Sequence, residues 1–352
     1  MKVVFTGDIC LANLDPRRYG LAPDLSDRLE GADLVVGNLE SPLTGAAAGS
    51  DQPLRFRQDP VAGPVLRRLG AVTLANNHIL DCGVAGLRDT VHFLEQEGIR
   101  HCGAGETLRD ALRPAVVESG NVRLALLGCS RWCATRGRRP GCVSDRSTAL
   151  AREIRRLKRE GCFVVVLPHW NYEYVHLPSP ESRRLARRWI RAGADLVVGS
   201  HPHVVQGVER IAERAVYYSL GNFVFYEGSL YADLVDYSRL KEGLLLVVTI
   251  AGPGRPRCEA VPVLLAAGET RCAQGADRER IERCFLESSQ PLQEPWGRYR
   301  RTFYARARTI TAKESRALRD LAARGGIGSI LRRLPRARLQ DLLIRWHAMR
   351  RP

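Results

Sequence analysis

The chain has 352 residues, of which 45% are hydrophobic and 26% are charged, enough for one large domain or for one domain with an appendage. No run approaches the roughly 18 consecutive apolar residues of a membrane span, so no membrane-spanning helix is expected. The first strand-like run begins at Val3, which leaves no room for a secretory signal, and the ten cysteines are scattered without a CxxC pair. These features predict a cytoplasmic protein.

The net charge of +16 is concentrated near the C-terminus. Residues 298–352 contain 16 Lys and Arg against three acidic residues, whereas the 297 residues before them contain 38 basic and 35 acidic residues. The body of the protein is therefore almost neutral, and it lacks a basic groove pattern with interleaved aromatic residues. This distribution argues against a nucleic-acid enzyme. Only the basic residues near the C-terminus keep nucleic-acid binding as an alternative.

Strand-like and helical patterns alternate from Met1 to about Ala266. The five clearest apolar runs are 3–5, 34–36, 72–74, 164–167 and 196–198. Apolar residues at helical spacing occur at 61–69, 87–94, 149–157 and 182–192. The alternation predicts an α/β layered fold, and shorter connections near 215–218 and 244–250 predict antiparallel strands and a second sheet packed on the first.

Each of the five runs ends in a short polar cluster. The clusters are Thr6-Gly7-Asp8, Gly37-Asn38-Leu39-Glu40, Ala75-Asn76-Asn77-His78, Pro168-His169-Trp170 and Gly199-Ser200-His201-Pro202-His203. A single cluster of this kind is more often a turn or a packed histidine than a site. Ligands gather beyond the carboxyl ends of strands in open α/β sheets, so the five together predict one shared site. Their mixed nitrogen and oxygen ligands suit one or two divalent metals.

Other polar features near these clusters have two interpretations. Residues 131–144 form a long loop with Trp132 and several arginines, for which a solvated excursion is favoured over a lid on an anionic substrate. Cys10 follows Asp8 by two residues and could ligate a metal, but burial as a small residue is favoured. The arginines on the polar face of 182–192 are expected to be solvated.

The residues after about 298 have the pattern of a basic helical tail. Short helices are predicted at 315–324 and 327–333, and a third begins at Pro335. Such a segment packs on its own body, docks on a partner or lies on an anionic membrane surface, which leaves a peripheral position at the inner membrane face open. The chain is accordingly divided into a body (1–266), a connecting segment (267–297) and the tail (298–352).

Seven motifs occur in order between Phe5 and about Phe225. They are Gly7-Asp8, Asn38-Leu39-Glu40-Ser41-Pro42-Leu43, Ala75-Asn76-Asn77-His78-Ile79-Leu80-Asp81, His169-Trp170 with Glu173-Tyr174, Gly193-Ala194-Asp195-Leu196-Val197, His201-Pro202-His203-Val204-Val205-Gln206-Gly207 and Tyr218-Ser219-Leu220-Gly221-Asn222-Phe223-Val224-Phe225. Together they resemble the capsule-synthesis CapA family, also described as the poly-γ-glutamate synthesis family, within the metallo-dependent phosphatase superfamily. The resemblance implies a four-layer α/β/β/α metallophosphatase-like sandwich with a metal centre at the strand ends.

The resemblance also implies six ligands for two divalent transition-metal ions (Mn, Fe or Zn). Asp8 and His203 would serve one ion, with Glu40 bridging to a second ion held by Asn77, His169 and His201. His78 would protonate a leaving group or stabilise a transition state, and Asp81 would orient its imidazole. The substrate side would be lined by Asn38, Glu173 and Asn222.

Three departures from the family pattern bear on these expectations. Cys10 and Glu40 stand where typical phosphoesterases of the superfamily have His and Asp, so one metal position is expected to be weak or empty. Asn171 replaces the usual glycine and would narrow the pocket. The membrane anchor common in family members is absent, which argues against an extracellular capsule role.

The expected activity is hydrolysis of a phosphoester or of an amide such as a γ-glutamyl bond, in capsule, poly-γ-glutamate or related polymer or conjugate biosynthesis. Paired divalent metals activate water toward either phosphorus or a carbonyl carbon, and the residues do not choose between them. The substrate would be an anionic small molecule or polymer. The alternative is a non-catalytic metal-binding accessory protein that binds polyanionic product and supports a biosynthetic ligase.

Overall fold

The computed structural model of the chain describes residues 1–12, 14–45, 56–61, 63–135, 139–225, 237–252, 254–266 and 268–325. Its strands are β1 (Lys2–Ile9), β2 (Gly20–Leu21), β3 (Leu34–Leu39), β4 (Ala71–Thr73), β5 (Arg100–Cys102), β6 (Ala104–Gly105), β7 (Ala115–Ser119), β8 (Val122–Ser130), β9 (Gly141–Cys142), β10 (Phe163–His169), β11 (Leu196–Val198), β12 (Val208–Ile211), β13 (Arg214–Tyr217), β14 (Asn222–Val224), β15 (Glu242–Thr249), β16 (Arg257–Ala266) and β17 (Glu269–Cys272). Its helices are α1 (Pro23–Glu30), α2 (Gly83–Gln96), α3 (Leu108–Ala111), α4 (Thr148–Arg159), α5 (Pro180–Ala192), α6 (Gly275–Ser289) and α7 (Trp296–Gly325), with single 3₁₀ turns at Leu66–Arg68, Tyr237–Lys241 and Gln290–Gln293.

The strands form two large sheets. The first has the order β2-β17-β16-β15-β1-β3-β4-β5, with β14 also paired to β1, and the second has the order β12-β13-β11-β10-β8-β7. Strands β1, β3, β4 and β5 run parallel to one another, while β15, β16 and β17 extend the first sheet in antiparallel pairs. In the second sheet β8, β10, β11 and β13 are parallel. The five strands predicted from apolar runs are all present, and β15 is antiparallel as expected. The antiparallel prediction near 215–218 holds only in part, because β13 is antiparallel to β12 but parallel to β11.

Both faces of each sheet are buried, which explains why the strands read as continuous apolar runs. In β1, Val3 and Phe5 enter the core between the two sheets, while Val4 faces the opposite side and packs with residues of α1 and α2. In β10, Val165 contributes to the core between the sheets, whereas Val164 packs on the other side with residues of α4, α5 and α7. Alternate residues of a strand point to opposite faces. The layers therefore follow the order α/β/β/α, and the predicted four-layer sandwich is confirmed.

Helix α5 illustrates how local sequence sets the ends of an element. The Ser179 hydroxyl accepts a hydrogen bond from the Ser182 amide, Pro180 occupies the first turn, and Gly193 ends the helix at φ 113°. Serine caps free amides, proline fits the first turn, and glycine adopts a left-handed cap without strain. The prediction that the arginines of this helix are solvated is wrong for Arg183, which is 2% exposed.

The C-terminal part of the described chain differs from the predicted pattern of short helices. Helix α7 is continuous from Trp296 to Gly325, so the segment 315–324 is the end of a 30-residue helix. Its first turns are anchored by Tyr299 and Phe303, which are buried in the core outside the second sheet. The predicted helices at 327–333 and after Pro335 lie outside the described residues, and the division at 266 and 298 stays a prediction.

The connecting segment predicted at 267–297 contributes to the first sheet. Strand β17 pairs antiparallel with β16 across a turn, and it also pairs parallel with β2. None of the helices within the described residues has both the length and the apolar composition that crossing a bilayer requires.

Candidate metal centre

The predicted ligands are delivered by strand ends of both sheets. Asp8 lies near the end of β1, directly opposite Asn38 of β3 and Asn222 of β14. His169 is the last residue of β10 and forms a bridge with Ser200, which follows β11. Strands β1, β3 and β4 are parallel in one sheet and β10 and β11 are parallel in the other, so the carboxyl ends of each set lie at one edge of their sheet. The 3.4 Å contact between Glu40 and His169 shows that these two edges meet.

Gly7 sets the close approach that brings Asp8 into this edge. The Asp8 amide donates to the Gly221 carbonyl over 3.0 Å, and a Cβ atom on Gly7 would lie 2.1 Å from that same carbonyl oxygen. Only a residue without a side chain fits between these two backbones.

We expect Gly7→Ala to lower the free energy of unfolding by about 3 kcal/mol, because the added methyl group must push β1 away from Gly221. The matched control is Gly20→Ala, also in a strand of the first sheet, where the nearest atom would lie 3.8 Å from the new Cβ. Urea denaturation of both variants tests the difference. A Gly7→Ala protein as stable as the Gly20→Ala protein would contradict the close approach.

The two histidines after β11 have an unusual backbone. His201 has φ 96° and His203 has φ 57°, and Pro202 separates them. Left-handed conformations are costly for residues with a side chain and persist where the surroundings hold them. The His201 amide donates to the Asp8 carboxylate over 3.1 Å, and the Pro202 carbonyl accepts from the Tyr174 amide over 2.8 Å. The segment is thus fixed from both sides.

All six predicted ligands lie together, in two groups that share Glu40. One group is Asp8, Glu40 and His203, and the other is Glu40, His169 and His201; in each group the ligand atoms lie within 4.8 Å of one another. The sixth ligand, Asn77, places its Oδ1 2.8 Å from His169 Nε2. Either group could hold a divalent ion, and two ions so held would have Glu40 in common.

The protonation states of these buried groups fit a cation site. Burial, reinforced by the nearby Glu40, raises the pKa of Asp8 to about 6, and burial also raises the pKa of Glu40. Burial lowers the pKa of His169 to about 3, so this imidazole is neutral and its 3.4 Å contact with Glu40 Oε1 is not an ion pair. Buried carboxylates without a compensating charge are unfavourable, and neutral imidazoles are good metal ligands.

Glu40 provides the clearest sign that a cation belongs here. Its Oε1 atom is buried and has no hydrogen-bond partner within the described part of the chain, and it lies 3.4 Å from Nε2 of His169 and 3.7 Å from Nε2 of His203. A buried carboxylate oxygen without a donor costs free energy unless a cation binds it. Carboxylate, amide and imidazole donors suit Mn, Fe or Zn, so the residues present fit a divalent transition metal.

Two residues predicted to bind substrate contact the ligands directly. The Asn38 amide group donates to Asp8 over 2.7 Å and lies 3.4 Å from Glu40 Oε2. Asn222 Oδ1 lies 3.0 Å from His203 Nδ1, and its amide donates to the Leu240 carbonyl. These contacts orient the ligands, as neighbouring hydrogen-bond partners do in metal sites. The third predicted substrate residue, Glu173, is half-buried beside His201 and His203.

His78 and Asp81 form the predicted pair. His78 Nδ1 lies 2.8 Å from Asp81 Oδ2, which also accepts from the Phe56 amide over 2.9 Å. Burial by itself would lower the pKa of His78, but the charge and hydrogen bond of Asp81, with smaller effects of Glu40 and Asp8, outweigh it and raise the pKa. The Phe56 ring packs 4.3 Å from the imidazole. His78 is thus oriented and retains a proton more readily than an exposed histidine.

Sequence reasoning missed three residues that support the centre. Ser200 Oγ lies 3.0 Å from His169 Nδ1, and the Asn76 side chain donates to the Leu39 carbonyl and accepts from the His78 amide. Both belong to the polar clusters and could have been found there. The ring centre of Trp132 lies 4.0 Å from that of His201, with the two planes tilted by 45°, and Trp132 is 6% exposed. The prediction that the loop 131–144 is solvated is therefore wrong at its start.

Two departures from the family pattern have structural explanations. Cys10 is buried with Ala12 and Phe56 and belongs to none of the candidate groups found among the described residues, which confirms the favoured interpretation. Asn171 has φ 72°, a conformation that asparagine tolerates better than most residues. The Asn171 side chain donates to the Gln206 side chain and accepts from the Ser179 amide. The asparagine therefore links its own loop to the loop after β11 and to the start of α5.

Comparison with known proteins identifies the family of the chain. Residues 2–227 match the family described as bacterial capsule synthesis protein PGA_cap. The capsule biosynthesis protein CapA of Bacillus anthracis is 30% identical over 285 residues, which are 76% of this chain and 67% of that protein. The PGA biosynthesis protein CapA of Bacillus subtilis is 31% identical over 241 residues, which are 66% of this chain and 61% of that protein.

A solved structure described as a novel phosphatase from Mycoplasma pneumoniae is 12% identical, with a TM-score of 0.43 over 75% of this chain and 93% of that chain. A hypothetical protein from Thermus thermophilus is 20% identical, with a TM-score of 0.45 over 74% of this chain and 98% of that chain. For the two Bacillus relatives, the matched part spans about two thirds of the length of each protein. On its match over residues 2–227, the chain belongs to the family of bacterial capsule synthesis proteins described as PGA_cap.

Proposed function

We propose that the chain is a metal-dependent hydrolase of capsule, poly-γ-glutamate or related polymer or conjugate biosynthesis. The observation that carries this proposal is the buried Glu40 carboxylate, which belongs to two groups of metal-type ligands and whose Oε1 has no hydrogen-bond partner among the residues that the structure describes. The biosynthetic setting is supported by the names of the Bacillus relatives.

The residues of the centre have separate tasks in this proposal. Two divalent ions, when bound, would lower the pKa of water and polarise the bond to be cleaved. Asn38 and Asn222 keep the ligands in place through their hydrogen bonds to Asp8 and His203. His78, oriented by Asp81 and with a raised pKa, is suited to give a proton to the leaving group.

The bond cleaved is a phosphoester or an amide such as a γ-glutamyl bond in an anionic small molecule or polymer. Both bonds place negative charge on oxygen in the transition state, and a cationic centre stabilises either. The proposed location is the cytoplasm, and the proposed role of the basic residues after 298 is to bind a membrane surface or a ligase partner.

The test is elemental analysis of the purified protein beside the double variant His201→Ala/His203→Ala. We expect about two transition-metal ions per chain in the wild type and loss of metal in the variant. His92→Ala on the exposed face of α2 is the matched control and should retain both ions. Loss of metal would justify a screen of phosphoesters and γ-glutamyl amides, whereas a wild type without metal after loading with Mn, Fe or Zn would refute the proposal.

A second candidate is a non-catalytic accessory protein that binds polyanionic product for a biosynthetic ligase. It is favoured by one relative, described as a probable polyglutamine synthesis accessory protein of Mycobacterium tuberculosis, which is 33% identical over 216 residues. Full metal occupancy and tight binding of poly-γ-glutamate, without turnover in the screen, would decide for this candidate.

A further inference from the structure

A third carboxylate reaches the metal centre from a different loop. Glu173, His201 and His203 offer ligand atoms that lie within 4.8 Å of one another. Among the residues of the three candidate groups in the described part of the chain, Glu173 is half-buried while the others are buried. We propose that Glu173 is a seventh metal ligand on the solvent side of the centre, an inference that rests on the metal dependence proposed above.

The loop that carries Glu173 is bound firmly to the loop that carries the two histidines. The Tyr174 amide donates to the Pro202 carbonyl over 2.8 Å, and the Asn171 side chain donates to Gln206 over 3.1 Å. Gln206 in turn donates to the Val175 carbonyl over 2.6 Å. Three hydrogen bonds thus tie the segment on either side of Glu173 to residues 202–206, so the carboxylate is held in register with both imidazoles.

The backbone around Glu173 is also fixed by its own conformation. Asn171 and Tyr174 have φ values of 72° and 63°, so the chain turns sharply before and after Glu173. Left-handed residues in close succession are maintained only where the surrounding structure holds them. A carboxylate presented in this way loses little conformational entropy when it binds a metal.

The geometry favours an added ligand over a third ion. His201 also belongs to the group with Glu40 and His169, and His203 also belongs to the group with Asp8 and Glu40. A third cation would have to share both histidines with two other cations at short range, and like charges at such distances repel strongly. Glu173 therefore supplies an oxygen to an ion that one of the other groups already holds.

Charge balance gives a reason for this additional ligand. Two divalent cations would face only the carboxylates of Asp8 and Glu40 in the six-ligand set, which leaves a net charge of about +2 in a buried site. Cys10 does not contribute a thiolate, because it is buried with Ala12 and Phe56 and belongs to none of the candidate ligand groups in the described part of the chain. A third carboxylate from Glu173 lowers the residual charge and should strengthen binding, as metal sites are tuned by the charge of their ligands.

The test compares Glu173→Gln with the wild type by metal titration. We expect both proteins to bind the same number of Mn²⁺ ions, with one of the ions bound at least about tenfold more weakly in the variant. With Co²⁺ in place of Mn²⁺, the visible spectrum of the variant should change because a carboxylate oxygen leaves the coordination sphere. Glu173→Asp keeps the carboxylate and should recover part of the affinity.

The matched control is Glu153→Gln, which removes a half-buried carboxylate of α4 that pairs with Arg156 over 2.7 Å. It should leave Mn²⁺ affinity and the Co²⁺ spectrum unchanged. If the wild type binds two ions and Glu173→Gln matches it in affinity and spectrum, Glu173 is not a ligand, while the metal centre stands. Loss of a third, separate ion in the variant would also overturn the inference, and a wild type that binds no metal would overturn both proposals.

Discussion

Glu40→Gln should abolish tight metal binding while leaving the metal-free protein more stable than the metal-free wild type. The Glu40 side chain is fully buried, its Oε1 has no hydrogen-bond partner in the ranges that the structure describes, and burial raises the pKa of the carboxyl group. Glutamine keeps the shape and removes the buried charge, so we expect the free energy of unfolding to rise by about 1–2 kcal/mol. Metal affinity should fall by more than about 100-fold, because Glu40 belongs to both ligand groups.

The dependence on pH separates this explanation from a general effect of the substitution. An acid whose pKa is higher in the folded state binds a proton on folding, so its contribution to stability is present at low pH and is lost as the pH rises through the folded-state pKa. Burial raises the pKa of both Glu40 and Asp8, the latter to about 6. The advantage of Glu40→Gln over the wild type should therefore be small at about pH 5 and larger at about pH 8.

The measurement is urea denaturation of both proteins in the presence of a chelator, at several pH values. Glu95→Gln, which removes a carboxylate that is 63% exposed on α2, serves as the control and should change stability by less than about 0.5 kcal/mol. A Glu40→Gln protein that is less stable than the wild type at about pH 8 would show that the buried Glu40 charge does not destabilise the metal-free protein. A variant that still binds two ions tightly would show that the Glu40 carboxylate is not a metal ligand.

The position of the candidate metal centre could be predicted from sequence because each predicted ligand follows an apolar run. A strand buried on both faces reads as a continuous hydrophobic segment, and the first polar residues after it lie at the edge of the sheet. Asp8, His169 and His201 lie at such positions. The contact between Glu40 and His169 shows that the two sheets meet at that edge. This prediction uses only the direction of the parallel strands, which places their carboxyl ends at the same edge of the sheet.

Contacts between residues far apart in sequence could not be predicted in this way. Trp132 reaches His201 through the path of the loop after β8, and no local pattern marks this contact. The arginine-rich face of α5 has the spacing of a solvated surface, yet Arg183 is buried because Glu209 and the Leu292 carbonyl lie against it. Periodicity shows which face of a helix is polar but does not show whether a later part of the chain covers that face.

Helix boundaries were the weakest predictions, for two physical reasons. The apolar spacing at 61–69 forms only a single turn, Leu66–Arg68, because Gly63 and Pro64 interrupt the backbone pattern of a helix. The short helix predicted at 315–324 is part of α7, whose earlier turns are stabilised by tertiary packing of Tyr299 and Phe303. Packing of this kind outweighs local propensity.

Arg183→Met should lower the free energy of unfolding by about 3–5 kcal/mol, the cost of removing one partner of a buried ion pair. The Arg183 guanidinium donates to both carboxylate oxygens of Glu209, over 2.9 and 2.7 Å, and to the Leu292 carbonyl over 2.7 Å. It also lies 4.0 Å from the centre of the Tyr299 ring, a cation–π contact. Methionine would keep much of the apolar stem and remove the charge, so Glu209 would be left with Arg187 and the Tyr218 hydroxyl.

Urea denaturation of Arg183→Met and of Arg184→Met tests this expectation, because Arg184 is the exposed neighbour on the same helix and should matter by less than about 0.5 kcal/mol. The free energy of unfolding of the double variant Arg183→Met/Glu209→Gln should fall by less than the sum of the losses in the two single variants, because the two side chains interact directly. Arg183 joins α5 to the residues before α7 and to Tyr299 within it, so Arg183→Met should also make α7 more sensitive to trypsin at low urea. If trypsin cleaves α7 equally fast in both single variants, α7 does not depend on this buried contact, and its attachment to the body must be attributed to the apolar packing of Phe303 instead.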